Sequence, residues 1–210
     1  CKKLLFKEGR CRRAVINSDD ALGVVLLSEV KGAMSYGIDN PADVFAVNVR
    51  ESIEGISFVL NLFDSLYEVK LNLTALHNVY NAMAAAACAK LCGLEIGVIA
   101  KGIAGLKSVP GRLEHIAKYN GAEIFVDFAH TPDGLEKSLQ SLKKLCKGKL
   151  YCLFGCGGNR DKLKRPLMGA VAAKYADFCI LTSDNPRFED PYDIIRDIEA
   201  AMDQEKCPYK

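Results

Sequence analysis

Three polar clusters in the second half of this 210-residue chain carry residue types able to grip charged groups. The first runs Asp127-Phe128-Ala129-His130-Thr131-Pro132-Asp133. The second is Phe154-Gly155-Cys156-Gly157-Gly158-Asn159-Arg160-Asp161, and the third is Thr182-Ser183-Asp184-Asn185-Pro186-Arg187. Glycine lets backbone N–H groups approach an anion, and the N-terminus of a following helix favours negative charge. The glycine pattern matches neither Gly-x-x-x-x-Gly-Lys-Ser/Thr nor a complete Gly-x-Gly-x-x-Gly. Arg160 beside it supplies a planar fork suited to bidentate binding of carboxylate or phosphate. Asp184 and Arg187 add a second acid–base set. A zwitterion such as an amino acid fits such a rim, with its carboxylate on an arginine and its ammonium on an aspartate.

Each cluster follows an apolar run, which places all three at strand ends. Ile124 to Phe128, Leu150 to Phe154 and Phe178 to Thr182 read as strands. Pro132 to Cys146, Lys162 to Tyr175 and Pro191 to Met202 read as the helices between and after them. Alternating β and α units of this length predict a parallel, doubly wound sheet, and near-continuous apolar strands predict helices on both faces. Ligands of such sheets bind outside the carboxyl ends of the strands, so the three clusters should share one rim.

The first half has a different rhythm. Arg13 to Ile16 reads as a strand, followed by Asn17-Ser18-Asp19-Asp20 as a helix cap and a helical pattern through Val30. Met34 to Ile38 and Val44 to Val49 look like strands. Ile56 to Phe63 and Leu66 to Leu73 alternate like an antiparallel pair joined at Asp64-Ser65, an edge elaboration on a larger sheet. Asn78 to Leu91 is an alanine-rich helix that should pack closely on a sheet, and Glu95 to Leu106 is a second helix. Ser108-Val109-Pro110-Gly111 ends it and predicts a boundary between domains at 1–110 and 111–210.

Composition excludes several classes. The chain is 50% hydrophobic and 26% charged, as in globular proteins. Its net charge of +2 makes no case for a nucleic-acid partner. The longest apolar run, Ala82 to Ala89, falls far short of the ~20 residues of a membrane span, and no signal pattern precedes it. Nine cysteines without a secretory signal point to reduced thiols and a cytoplasmic protein. Cys88 and Cys92 should behave as small apolar residues of a helix rather than as metal ligands. Lys143, Lys144, Lys147 and Lys149 read as a solvated helix face and end, and His115 as a strand-surface residue. The chain begins at Cys1 rather than Met, inside an apparent helix, so a piece of a longer protein is expected.

Together with His77-Asn78-Val79-Tyr80-Asn81, Gly111-Arg112-Leu113-Glu114 and Lys164-Arg165-Pro166-Leu167-Met168-Gly169, the three clusters form six ordered motifs. In them the sequence resembles the Mur ligase family, in its diaminopimelate-adding branch. The resemblance implies an α/β fold: the C-terminal part of a P-loop-type central ATPase domain, then a Rossmann-like parallel-sheet domain that is incomplete at its end. It implies an ATP-dependent amide ligation in peptidoglycan synthesis, adding meso-diaminopimelate to UDP-MurNAc-L-Ala-D-Glu through an acyl phosphate, with ATP and Mg2+ required and a monomer expected.

Residue roles follow from the resemblance position by position. Asn81 matches an asparagine that contacts adenine. Arg112 and Asp127 match a pair that holds ATP, and His130 lies in the same nucleotide-facing loop. Arg160 matches an arginine that binds a diaminopimelate carboxylate. Asp184, Asn185, Pro186 and Arg187 match the signature that selects diaminopimelate. A distal carboxylate requires a cation, so Arg187 speaks against a lysine-adding enzyme. Cys1-Lys2-Lys3-Leu4-Leu5-Phe6 resembles a segment whose lysine is carbamylated into a catalytic magnesium ligand, and Lys2 falls on that position.

Asn159 and Phe128 depart from the family's usual Asp and Tyr. A phosphate-binding Gly-Thr-Asn-Gly-Lys-Thr motif, a sugar-binding domain and a Gly-Lys-Gly-His-Glu segment are absent from these residues, so the 210-residue chain by itself is expected to be inactive. The alternatives are a related ligase adding L-lysine or another amine, and a non-catalytic nucleotide-binding module without a P-loop.

Overall fold

The computed structural model describes residues 2–6, 10–202 and 206–210. The chain divides into two compact units, Cys1–Pro110 with Glu114–Phe125, and Gly111–Leu113 with Val126–Lys210. Among the described residues no helix is long and apolar enough to cross a membrane.

The first unit opens with a 3-10 segment, Lys2–Phe6. Strand β1 (Val15–Asn17) leads into helix α1 (Ala21–Glu29), where the Asp20 side chain accepts from the Gly23 amide at 2.9 Å and caps the first turn. Strands β2 (Met34–Gly37), β3 (Val44–Ser52), β4 (Gly55–Leu62) and β5 (Ser65–Leu71) complete a five-stranded sheet in the order β1-β2-β3-β4-β5. The β1–β2 and β2–β3 pairs are parallel, whereas β3–β4 and β4–β5 are antiparallel. The expected antiparallel elaboration therefore sits at one edge of a mixed sheet.

Alternation of side chains along β4 and β5 sends Phe58, Leu60, Leu62, Val69 and Leu71 into one core. Helix α2 (His77–Leu91) covers it with Val79, Ala82, Met83, Ala86 and Ala87, whose small side chains permit a close approach. Cys88 and Cys92 are exposed instead of packed with the alanines, because the helical repeat turns them away from the sheet. Helix α3 (Ile96–Ala104) adds Ile99. Asp19 ties the loops together. Its carboxylate accepts from the Ile38 amide at 2.6 Å, the Asn40 amide at 2.8 Å and the Tyr80 hydroxyl at 2.8 Å.

Strands β6 (Glu114–Tyr119) and β7 (Ala122–Val126) pair with each other as a two-stranded sheet. Asn120 and Gly121 between them both have positive φ, 48° and 83°, as a two-residue type I′ hairpin requires. This corrects the reading of 124–128 as a strand of the parallel sheet. Exposed and half-buried positions alternate along β7, which suits a hairpin and not a strand covered on both faces.

In the second unit α4 (Pro132–Leu145), β8 (Tyr151–Phe154), α5 (Lys164–Tyr175), β9 (Phe178–Leu181) and α6 (Pro191–Glu199) follow in order. β8 and β9 are parallel, and Tyr209 forms a further parallel bridge to Cys179. Leu135, Leu139, Met168, Ala172, Ile194 and Ile198 from the three helices share one core with Cys152, Cys179 and Leu181 of the strands. Tyr151, Leu153 and Ile180, at the alternate positions, are exposed, so the expected burial of both sheet faces is not met.

Candidate functional site

The β7–α4 loop carries the first cluster. Thr131 caps α4 by accepting from the Gly134 amide at 3.2 Å, and Pro132 starts the helix. Asp127 binds backbone on two sides: Oδ2 accepts from the Leu113 amide at 2.7 Å, and Oδ1 from the Ala129 amide at 2.8 Å. The Phe128 amide donates to the Gly111 carbonyl at 2.7 Å. These bonds hold a turn in which Gly111 and Leu113 have φ of 66° and 43°. Arg112, between them, is presented with its guanidinium 6.0 Å from the Phe128 ring centre. His130 stands edge-on to the same ring at 5.3 Å. Arg112, Asp127 and His130 thus form one neighbourhood around an exposed aromatic ring. Each Asp127 oxygen, with two lone pairs, keeps capacity for a second donor.

The other two clusters meet directly. The Gly158 amide donates to the Asn185 carbonyl at 2.9 Å, and Arg187 Nη1 donates to the Gly158 carbonyl at 2.6 Å. The glycines serve this contact. A Cβ on Gly158 would lie 1.9 Å from the Pro186 carbonyl oxygen. A Cβ on Gly157 would lie 3.0 Å from Arg187 Nη1 and 3.7 Å from Asp184 Oδ2. Asp184 and Arg187 therefore both approach the same glycine. Neither of them, nor the exposed Arg160, belongs to an ion pair among the described residues. Arg187 has φ of 51°, a conformation a non-glycine residue adopts at a cost of about 1–3 kcal/mol. Lys164 joins the two neighbourhoods by donating to the His130 carbonyl at 2.6 Å.

Residues outside the sequence-derived set hold this contact. Arg165 is fully buried and pairs with Glu189 and Asp197. Hydrogen bonds from Arg165, from the Asn159 amide and from Lys162 hold the Glu189 carboxyl down at about 2, against an ordinary 4.5. The Lys164-Arg165-Pro166 motif signals these residues, but arginine in a helix otherwise reads as solvated. Cys156 is buried with Sγ 3.7 Å from Met168 Sδ, and burial raises its thiol pKa.

In the first unit Asn81 is exposed on α2 and donates from Nδ2 to Asn78 Oδ1 at 3.2 Å. Asn78 is anchored by donating to the Thr74 carbonyl at 2.6 Å. Lys2 begins the 3-10 segment, and its side chain lies outside the described residues. Among the described residues no group of three or more His, Cys, Asp and Glu side chains could hold a metal ion.

Two family descriptions match the chain, "Mur ligase middle domain" over residues 1–89 and "Mur ligase, glutamate ligase domain" over residues 111–209. The chain belongs to the Mur ligase family. It is 42% identical over 207 residues to the UDP-N-acetylmuramoyl-L-alanyl-D-glutamate–2,6-diaminopimelate ligase of Syntrophomonas wolfei, covering 98% of this chain and 42% of the relative. The namesake ligase of Caldanaerobacter subterraneus is 41% identical over 209 residues, 99% of this chain and 43% of the relative. The chain thus spans about two-fifths of the length of the curated relatives it matches. A solved ligase of the same name superposes with a TM-score of 0.62 at 33% identity, covering 99% of this chain and 44% of that one. At 20% identity and a TM-score of 0.72, a Mycobacterium tuberculosis folylpolyglutamate synthase complexed with ADP shares the fold, over 94% of this Mur ligase chain and 44% of its own.

Proposed function

We propose that this chain is the nucleotide- and amino-acid-handling part of a cytoplasmic, monomeric, ATP-dependent ligase that adds meso-diaminopimelate to UDP-MurNAc-L-Ala-D-Glu in peptidoglycan synthesis. The observation that carries the reading is that Asp184 and Arg187 both come within 3.7 Å of the Cβ position on Gly157 without an ion pair between them. The names of the relatives at about 40% identity support it.

In the reaction, the γ-phosphoryl group of ATP passes to the terminal carboxylate of the sugar-linked dipeptide. The amine of the incoming amino acid attacks the acyl carbon, the amide bond forms and phosphate leaves. Catalysis of this kind depends on positioning and charge neutralisation. Asp184 takes an ammonium of diaminopimelate, while Arg187 and Arg160 take carboxylates. Arg187 spends one of its five N–H donors on Gly158 and keeps the rest for substrate. Asn185 and Pro186 shape the turn between these two charged residues, Asn185 through its carbonyl bond to the Gly158 amide. Arg112, Asp127 and His130 are the residues of the second unit assigned to the nucleotide, and Asn81 is the residue of the first unit assigned to adenine. Arg112 and the Phe128 ring offer a cation and a flat apolar face, and Asp127 offers acceptors to ribose hydroxyls.

Lys2, carbamylated, is the proposed magnesium ligand. The ion would neutralise phosphate charge. Among the described residues no cluster of His, Cys, Asp and Glu adds ligands to it.

The complete gene product tests the reading, assayed for phosphate release with UDP-MurNAc-L-Ala-D-Glu and ATP. A site built to bond a distal carboxylate rejects an analogue lacking it, so kcat/KM for meso-diaminopimelate should exceed that for L-lysine by at least about a hundredfold. Equal or better use of L-lysine would replace the substrate assignment, and no release with any amine would favour a non-catalytic module.

A further inference from the structure

Arg165 lies on α5, has no place among the substrate contacts proposed above, and is 0% exposed. A buried guanidinium is costly unless it is paired, so its partners are informative. Nη1 donates to Glu189 Oε2 at 3.0 Å and Nη2 to Glu189 Oε1 at 2.9 Å, a two-point fork. Nη1 also reaches Asp197 Oδ2 on α6 at 2.9 Å, and Nη2 lies 3.4 Å from the Gly157 carbonyl oxygen. Nε is buried without a hydrogen-bond partner.

Glu189 passes this anchoring on. Its carboxylate also accepts from the Asn159 amide and pairs with Lys162 at 3.0 Å. Its own amide donates to the Pro186 carbonyl at 3.0 Å. Asn159 Oδ1 in turn accepts from the Phe188 amide at 3.0 Å. One guanidinium thus ties together the glycine loop, the turn that ends at Arg187, and α6. Arg187 sits two residues before Glu189 in a left-handed conformation, which persists only where its surroundings enforce it.

We propose that Arg165 is a positioning residue for the incoming amino acid. Through Glu189 it holds the 184–187 turn against Gly157 and Gly158, and so sets affinity for a diamino-dicarboxylate that it never touches. This rests on the amino-acid site proposed above. Lysine keeps the charge and not the fork, so it cannot replace arginine here.

The test is R165K and E189Q in the complete gene product, with D197N as the variant that removes an ion pair from Arg165 without loosening either loop. R165K and E189Q should raise KM for meso-diaminopimelate by about tenfold or more, because small displacements of binding groups are costly, with KM for ATP held within about twofold. D197N should leave both constants near wild type. Hydrogen exchange on the complete gene product gives a readout independent of turnover, and R165K should speed exchange at the amides of Gly158, Asn159, Phe188 and Glu189. Wild-type protein inactive with meso-diaminopimelate would overturn the functional reading, and the exchange result would then decide the clamp. Active wild-type protein with unchanged KM in R165K and E189Q would overturn the positioning role. So would a common shift in every substrate's KM, or unchanged exchange.

Discussion

Arg187 donates from Nη1 to the carbonyl oxygen of Gly158 at 2.6 Å, 29 positions away in sequence. The contact brings a cation from the loop after β9 onto the backbone of the loop after β8. It requires that residues 157 and 158 have no side chains, because the Pro186 backbone and the Arg187 guanidinium occupy that space.

Gly158→Ala should therefore separate the two loops. A Cβ 1.9 Å from the Pro186 oxygen cannot be accommodated without backbone movement, and overpacking of this kind costs about 1–3 kcal/mol. Urea unfolding should show that loss. Gly97→Ala, in α3 with nothing within 4 Å of its Cβ position, should instead stabilise by about 0.5–1 kcal/mol. Equal effects of the two substitutions would argue against close loop packing.

Asp127→Ala should act on both stability and nucleotide binding. The Leu113 and Ala129 amides lose their acceptor, and Leu113 is buried. An unsatisfied buried amide costs about 1–3 kcal/mol. Thermal unfolding and nucleotide titration of the complete gene product should both register the change. Weakened nucleotide binding with unaltered stability would mean that the carboxylate does not hold the 111–113 turn.

Glu189 makes stability depend on acid pH. Its folded pKa of about 2 lies below the ordinary 4.5, with the Arg165 hydrogen bonds as the main cause. A depressed carboxylate contributes stability that is fully present above 4.5 and is lost as pH falls through 2. Unfolding free energy measured between those limits should fall less steeply in E189Q than in wild type. Parallel curves would show that the ion pair contributes nothing.

The cysteines should react in order of exposure. Cys88 and Cys92 are exposed, whereas Cys152, Cys156, Cys179 and Cys207 are buried. Burial raises the Cys152 thiol to about 12, so little thiolate is present near neutral pH. Iodoacetamide labelling followed by peptide mass spectrometry should modify Cys88 and Cys92 first and the buried four only on unfolding. Early modification of Cys156 would contradict its packing against Met168.

Much of the fold was legible because local signals agreed. Asp20, Thr131-Pro132 and Asp190-Pro191 each mark a helix start, and alternation in β4 and β5 marks a sheet with one buried face. The Asn120-Gly121 turn was not read from the sequence, although that dipeptide is a strong type I′ signal, and the apolar run 124–128 read instead as a strand of the parallel sheet. Exposure of Tyr151, Leu153 and Ile180 was not legible, because an apolar residue looks the same whether or not a layer covers it.

Residue type and order were enough for the family, the candidate charges at 127, 160, 184 and 187, and the succession of strands and helices, because each follows from short-range spacing. Folding alone determined that Arg165 is buried under Glu189, that Asp184 and Arg187 both approach one glycine, and that Asp127 spends its oxygens on backbone. Apart from the local Asp127–Ala129 bond, those facts join residues distant in sequence, from 14 positions for Leu113 and Asp127 to 24 for Arg165 and Glu189 and more for the loop contact, and charge burial depends on which distant groups arrive to satisfy it.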